Sequence, residues 1–125
     1  MTVLIVDDSR IMRLKLKSLV GATGLPVGEI LEAGHGGEAM TLLAERSVDA
    51  IFTDINMPVM DGRELIRQMH EKQVAANAVK VVCTTEDLAG LKEDLVRYGI
   101  TLYIEKPFDP EAVKRVLMHV GKTAA

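Results

Sequence analysis

The stretch Val3-Leu4-Ile5-Val6-Asp7-Asp8-Ser9 joins four consecutive apolar residues to two carboxylates and a hydroxyl side chain. A continuous run of branched aliphatic residues, without polar alternation, is typical of a strand buried on both faces of a parallel sheet. Serine is favoured at the N-cap of helices, so the stretch predicts a strand followed closely by a helix. The two aspartates fall at the carboxyl end of that strand, where open α/β sheets bind their ligands.

The rest of the chain repeats this order of apolar run and amphipathic helix. Further short apolar runs occur at residues 29–33, 50–53, 79–83 and 101–104. Between these runs, apolar residues recur at helical spacing, for example at Met12, Leu16 and Leu19. The sequence therefore predicts an α/β domain with a doubly wound, five-stranded parallel sheet of the flavodoxin-like kind and helices on both faces.

Glycine, proline and capping residues mark the ends of the predicted helices. Gly21 and Gly24 lie where the first helix is expected to end, and Gly99 lies where the fourth is expected to end. Asp109-Pro110 places a capping residue before a proline at the first position of the fifth helix. Gly90 falls inside the fourth helix, where glycine costs about 1 kcal/mol relative to alanine. The fourth helix is therefore a candidate mobile element.

Composition bounds the class of protein. The chain has 125 residues, of which 48% are hydrophobic and 26% charged, and its net charge is −3. This length suits one domain with a real core, and the acidic balance argues against a nucleic-acid partner. Its apolar runs fall far short of the roughly 20 residues that span a membrane, and its single cysteine cannot form an internal disulfide. We expect a soluble cytoplasmic protein without membrane insertion.

Chemically active side chains follow the predicted strands. Asp7 and Asp8 follow the first, Asp54 follows the third, and Thr84 and Lys106 follow the fourth and fifth. Three carboxylates at one sheet edge repel one another unless a cation intervenes, and oxygen ligands without His or Cys suit Mg²⁺. With Lys106 and Mg²⁺ the formal charges cancel, and a phosphoryl group would fit between them. Asp54 is then the natural nucleophile, because aspartyl phosphates are established covalent intermediates.

The motifs resemble those of a known family. Residues 6–9 read Val-Asp-Asp-Ser, residues 53–62 read Thr-Asp-Ile-Asn-Met-Pro-Val-Met-Asp-Gly, and residues 106–108 read Lys-Pro-Phe. Together with Thr84, these residues resemble the receiver domain of bacterial response regulators. The resemblance spans residues 3 to about 120, and the single-domain format is similar to CheY-like chemotaxis regulators. Residues 1–121 are thus expected to form the receiver domain and residues 122–125 a frayed tail, with no output domain.

The resemblance implies a role for each site residue. Asp54 would accept a phosphoryl group from a phosphohistidine on a sensor histidine kinase or a histidine phosphotransfer protein. Mg²⁺ would be held by Asp7, Asp8, Asp54 and the backbone carbonyl of Asn56. Thr84 and Lys106 would each contact a phosphoryl oxygen. The residues implied as catalytic or as metal ligands are Asp54, Thr84, Lys106, Asp7, Asp8 and Asn56.

The resemblance also implies a switch and an output surface. Tyr103 matches an aromatic residue that turns inward as Thr84 moves, and the Lys106-Pro107 peptide bond is expected to be cis. A downstream protein target would bind the face formed by the fourth helix, fifth strand and fifth helix. Asn56 and Glu86, each two residues beyond a site residue, are predicted to tune the phosphoryl lifetime. Thr85 replaces a commonly smaller residue and is predicted to restrict access to Asp54.

Several functions stay open at this stage. The leading one is phosphorylation-dependent signalling without turnover of external substrates, of the chemotaxis or motility type, with a phosphate sink or relay intermediate as the alternative. An aspartate-nucleophile phosphatase combines similar residues, but it generally carries a second aspartate where this chain has Asn56. A flavodoxin-like cofactor carrier is disfavoured, because Asp7 and Asp8 would repel a phosphate after the first strand.

Overall fold

The protein folds around one parallel sheet, as the apolar runs predict. The structure is a computed structural model that describes residues 1–124. The five strands run in parallel in the order β2-β1-β3-β4-β5, which is the predicted doubly wound arrangement. Their bounds are β1 Thr2–Val6, β2 Glu29–Ala33, β3 Ala50–Thr53, β4 Val79–Thr84 and β5 Leu102–Glu105.

Helices cover both faces of the sheet. They are α1 Arg10–Ala22, α2 Gly36–Glu45, α3 Gly62–Glu71, α4 Leu88–Leu95 and α5 Pro110–Ala124, with a 3₁₀ turn at Val96–Tyr98. Side chains of a strand alternate between the faces, so β1 supplies Leu4 and Val6 to one core layer and Val3 and Ile5 to the other. Buried residues of α2, α3 and α4 line the first layer, and those of α1 and α5 line the second.

The predicted helix signals act as expected at most ends. The Ser9 hydroxyl accepts the Met12 N–H at 3.2 Å and caps α1. Gly24 and Gly99 adopt φ values of +74° and +77°, a left-handed conformation that glycine takes without strain. His35 also caps a helix, because its Nδ1 accepts the Gly37 N–H at 3.0 Å at the start of α2.

Several boundaries differ from the predictions. Gly21 lies within α1 rather than at its end, and α4 stops at Leu95, so a 3₁₀ turn fills the gap to Gly99. β5 begins one residue later than predicted, because its pairing with β4 starts at Leu102. The backbone of α5 continues to Ala124, and Ala125 lies outside the described residues; the frayed tail stays a prediction. No helix in residues 1–124 is long and apolar enough to span a membrane.

Gly90 and Gly99 form a matched pair for a stability test. A Cβ atom at either position would meet no heavy atom within 4 Å, but only Gly99 has a left-handed backbone. We expect Gly90→Ala to raise the free energy of unfolding by about 1 kcal/mol through helix propensity. We expect Gly99→Ala to lower it by about 1 kcal/mol, because alanine is strained at positive φ.

Urea unfolding followed by circular dichroism measures both changes. The two variants alter the unfolded chain in the same way, so their difference reports the folded backbone alone. Equal changes in the two variants would contradict the assigned role of the Gly99 conformation.

Candidate functional site

The carboxyl ends of the strands bring the predicted site residues to one edge of the sheet. The Asp54 N–H donates to the Val6 carbonyl at 2.9 Å, so the residues after β3 and β1 stay in register beyond the strands. In the same way the Lys106 N–H donates to the Thr84 carbonyl at 2.9 Å. Backbone pairing therefore places Asp54 beside the end of β1 and Lys106 beside the end of β4.

A close backbone contact sets the loop behind Asp54. The Gly62 N–H donates to the Ile55 carbonyl at 2.8 Å, where α3 begins. A Cβ atom on Gly62 would lie 2.1 Å from the Asp54 carbonyl oxygen, so only glycine fits there. The carboxylate of Asp54 in turn accepts the Ile55 N–H at 2.7 Å, which orients it at the start of the loop.

Lys106 joins the two most enclosed carboxylates of the site. Its Nζ lies 2.9 Å from Asp7 Oδ2 and 3.1 Å from Asp54 Oδ2. The exposed fractions of the three side chains are 11%, 7% and 14%, so water screens these ion pairs only weakly. The ammonium therefore offsets part of the repulsion between the carboxylates.

Burial and pairing shift the pKa values of these groups. Burial raises the pKa of Asp54 above its usual range, although the Ile55 N–H and Lys106 act in the opposite direction. Burial alone would lower the pKa of Lys106, but its hydrogen bonds to Asp7 and Asp54 raise it overall. Lys106 is therefore a permanent cation of the site, and Asp54 is held in a partly desolvated position. Burial raises the pKa of the Cys83 thiol as well, so this buried cysteine stays in its unreactive thiol form.

Three carboxylates form a cluster suited to a cation. One oxygen each from Asp7, Asp8 and Asp54 lies within 4.8 Å of the other two. Asp8 is exposed, Asp7 is buried and Asp54 lies between these extremes, so the cluster opens to solvent on one side. A hard cation such as Mg²⁺ prefers a few carboxylate oxygens and retains several waters, and this donor set fits that preference.

The remaining predicted residues differ in how deeply their side chains are buried. Thr84 is fully buried, and its hydroxyl accepts the Glu86 N–H at 2.9 Å. Tyr103 is partly buried, its hydroxyl donates to the Ile100 carbonyl at 3.4 Å, and the Lys92 ammonium lies 5.5 Å from its ring centre. The side chains of Asn56 and Thr85 are exposed. The Lys106-Pro107 bond is cis, as expected.

Two arginines support the site without having been predicted. Arg13 of α1 donates to the Asp7 carbonyl at 2.5 Å and to the Glu32 carboxylate at 3.0 Å. Arg63 of α3 donates to the Glu86 carboxylate at 3.0 Å. Glu32 lies 19 residues from Arg13 in the chain, and Glu86 lies 23 residues from Arg63. No local sequence spacing therefore indicates these contacts.

Comparison with known proteins identifies the class. The family model described as the response regulator receiver domain matches residues 3–118, which is most of the chain. The chain therefore belongs to the response regulator receiver family of two-component signalling.

Several of its relatives are chemotaxis proteins of the CheY type. It is 36% identical to the "Chemotaxis protein CheY homolog" of Campylobacter jejuni, covering 100% of this chain and 95% of the relative. It is 33% identical to "Chemotaxis protein CheY" of Bacillus subtilis, covering 97% and 95% respectively. Among solved structures, chemotaxis response regulator CheY4 of Vibrio cholerae matches with a TM-score of 0.81 and 30% identity over 95% of this chain and 97% of that one. The resemblance expected from the motifs is thus confirmed as a CheY-like receiver.

The charge balance at the site yields a stability prediction. We expect Lys106→Met to lower the free energy of unfolding by about 3 kcal/mol in metal-free buffer near neutral pH, because it leaves two enclosed carboxylates without a cation. The loss becomes smaller as pH falls, since Asp54, whose pKa is raised by burial, then takes up a proton. Denaturant unfolding at several pH values, in the presence of a chelator, measures both effects.

Lys17→Met is the matched control. Lys17 also pairs with a carboxylate, at 3.6 Å from Glu32, but its side chain is 45% exposed. We expect this change to cost less than about 0.5 kcal/mol. A loss at Lys106 no larger than that at Lys17 would show that the Lys106 ion pairs do not stabilise the fold.

Proposed function

We propose that this chain is a phosphoacceptor of a two-component relay, which takes a phosphoryl group on Asp54 with the help of Mg²⁺ and Lys106. The observation that carries the proposal is the convergence of Asp54 with Asp7, Asp8 and Lys106 at one sheet edge. Membership of the receiver family and similarity to chemotaxis proteins support it. A sensor histidine kinase or a histidine phosphotransfer protein would be the donor.

The carboxylate cluster supplies a place for Mg²⁺. Asp7, Asp8, Asp54 and the backbone carbonyl of Asn56 would hold the ion. When bound, Mg²⁺ neutralises negative charge on the transferring phosphoryl group. The hydrogen bond from the Ser9 N–H to Asp7 Oδ1, at 2.9 Å, keeps one carboxylate oriented for this role.

The phosphoryl transfer itself needs a carboxylate nucleophile close to a fixed positive charge. An oxygen of Asp54 attacks phosphorus, the P–N bond of the phosphohistidine breaks, and the imidazole leaves with the electron pair. Lys106 favours the ionised form of Asp54 before transfer and would pair with a phosphoryl oxygen afterwards. Asp7 keeps Lys106 within reach in both states, because it binds the same ammonium.

Signalling would follow from movement of Thr84. Its hydroxyl would contact a phosphoryl oxygen, and Tyr103 would turn inward as Thr84 moves. The face formed by α4, β5 and α5 would then bind a downstream protein of a chemotaxis or motility system. Asn56, Thr85 and Glu86 flank the site and would tune the phosphoryl lifetime and access to Asp54. The chain would signal for as long as Asp54 stays phosphorylated, and it would not turn over external substrates.

Phosphorylation is tested with a small phosphodonor. We expect acetyl phosphate with Mg²⁺ to add one phosphoryl group, visible by mass spectrometry and labile to hydroxylamine, as an acyl phosphate is. Asp54→Asn is expected to abolish the adduct, because it removes the nucleophile. Asp61→Asn is the matched control. Asp61 caps α3, and asparagine caps helices about as effectively as aspartate does. An adduct that survives in the Asp54 variant would refute the assignment.

Mg²⁺ binding is tested separately through stability. An ion that binds only the folded state stabilises it by about 2.7 kcal/mol at a concentration 100 times its Kd. We therefore expect Mg²⁺ to raise the thermal unfolding midpoint of the protein, and Asp8→Asn to remove most of this rise.

Asp87→Asn is the control for this measurement. Asp87 is another carboxylate beyond a strand end, but it caps α4 and lies outside the cluster. Its variant should keep the full response to Mg²⁺. A rise of equal size in the Asp8 variant would contradict the proposed metal site.

A further inference from the structure

Arg63 connects the loop behind Asp54 to the segment that follows β4. Its neighbour Gly62 is bonded to the Ile55 carbonyl, so the first turn of α3 is anchored next to the phosphoacceptor. From this anchor, Arg63 Nη2 reaches the Glu86 carboxylate at 3.0 Å, and its Nε lies 3.7 Å from the Asp94 carboxylate near the end of α4. One side chain thus links α3 to the residues before α4 and to α4 itself.

Glu86 transmits this link to Thr84. The Glu86 N–H donates to the buried Thr84 hydroxyl at 2.9 Å, so the position of Glu86 affects where that hydroxyl lies. The path from Asp54 through Gly62, Arg63 and Glu86 to Thr84 is continuous in direct contacts. A physical link of this kind can bias two arrangements of the same segment.

We propose that Arg63 is a positioning residue that, through Glu86, holds Thr84 in its unphosphorylated arrangement and so opposes activation. The proposal rests on the proposed function, in which Thr84 moves towards a phosphoryl group on Asp54. The Arg63 ion pair is partly exposed, with 41% and 28% of the two side chains accessible, so its effect is a modest bias. A modest bias is what a reversible switch needs, because the two states then stay close in free energy.

The sign of the effect separates this role from simple electrostatics. Removing a positive charge beside the site would by itself weaken the binding of an anion. Removing a restraint on Thr84 would instead strengthen the binding of a phosphoryl mimic. An increase in affinity on deleting Arg63 therefore cannot arise from the lost charge.

The test is a titration with beryllofluoride at saturating Mg²⁺. The affinity is obtained from the NMR shifts of residues around Asp54. We expect Arg63→Ala to bind about twofold to fivefold more tightly than the unmodified protein, the range that a partly exposed ion pair supports. Glu86→Gln is expected to give a similar gain in affinity. The double variant should give no further gain, because both changes break the same contact between Arg63 and Glu86. Arg63→Lys is expected to restore most of the restraint.

Arg67→Ala is the matched control. Arg67 lies one turn further along α3, and its ion pairs are with Glu64 and Glu71 of the same helix. This variant removes the same charge from the same helix without touching Glu86, and it should bind beryllofluoride like the unmodified protein. Unchanged or weaker binding in Arg63→Ala, or an equal gain in Arg67→Ala, would overturn the proposal.

A second measurement needs no phosphoryl mimic. In the metal-free protein, we expect Arg63→Ala to speed hydrogen exchange of the Glu86 amide, while Arg67→Ala leaves it unchanged. Unchanged exchange in Arg63→Ala would also overturn the restraint. Failure of the unmodified protein to bind beryllofluoride would instead refute the proposed function, so the two failures are distinguishable.

Discussion

Repulsion between carboxylates at one edge of the sheet is the constraint on which the site depends. Asp7, Asp8 and Asp54 meet there because their strands end together, and Lys106 offsets only part of their charge. The remaining negative charge suits this edge to a cation. In the proposed function, that cation would neutralise the charge of a phosphoryl group on Asp54. Enclosing like charges costs stability, and the proposed function depends on those same charges.

Close backbone contacts hold the residues of this edge in place. Gly62 allows α3 to begin against the backbone of Asp54, and Arg13 braces the carbonyl of Asp7 from α1. By contrast, the segment after β4 is held by side-chain contacts, those of Thr84, Glu86 and Arg63. The Arg63–Glu86 ion pair among them is partly exposed and weak enough to exchange, which suits the change of position proposed for this segment. Gly90 adds to this freedom within α4, because the backbone of glycine is less restricted than that of any other residue.

Much of this arrangement could be predicted from the sequence, and the exceptions share a cause. Runs of Val, Ile and Leu predicted the strands, and residues that follow them supplied the carboxylates and the lysine. The start of β5 and the end of α4 were wrong by one to a few residues, because pairing with β4 and a 3₁₀ turn decided them. Arg13 and Arg63 were missed because their partners are distant in the chain, so local pattern carries no trace of them.

The sequence by itself determined the kind of sheet, the types of side chain at its edge and the family to which the motifs belong. These follow from local hydrophobicity and from short motifs, which are properties of neighbouring residues. Only the tertiary structure decided that Lys106 bridges Asp7 and Asp54, and that Thr84 is tied through Glu86 to Arg63. The Lys106–Asp7 contact joins residues 99 positions apart and the Arg63–Glu86 contact residues 23 apart, so both exist only once the strands have paired.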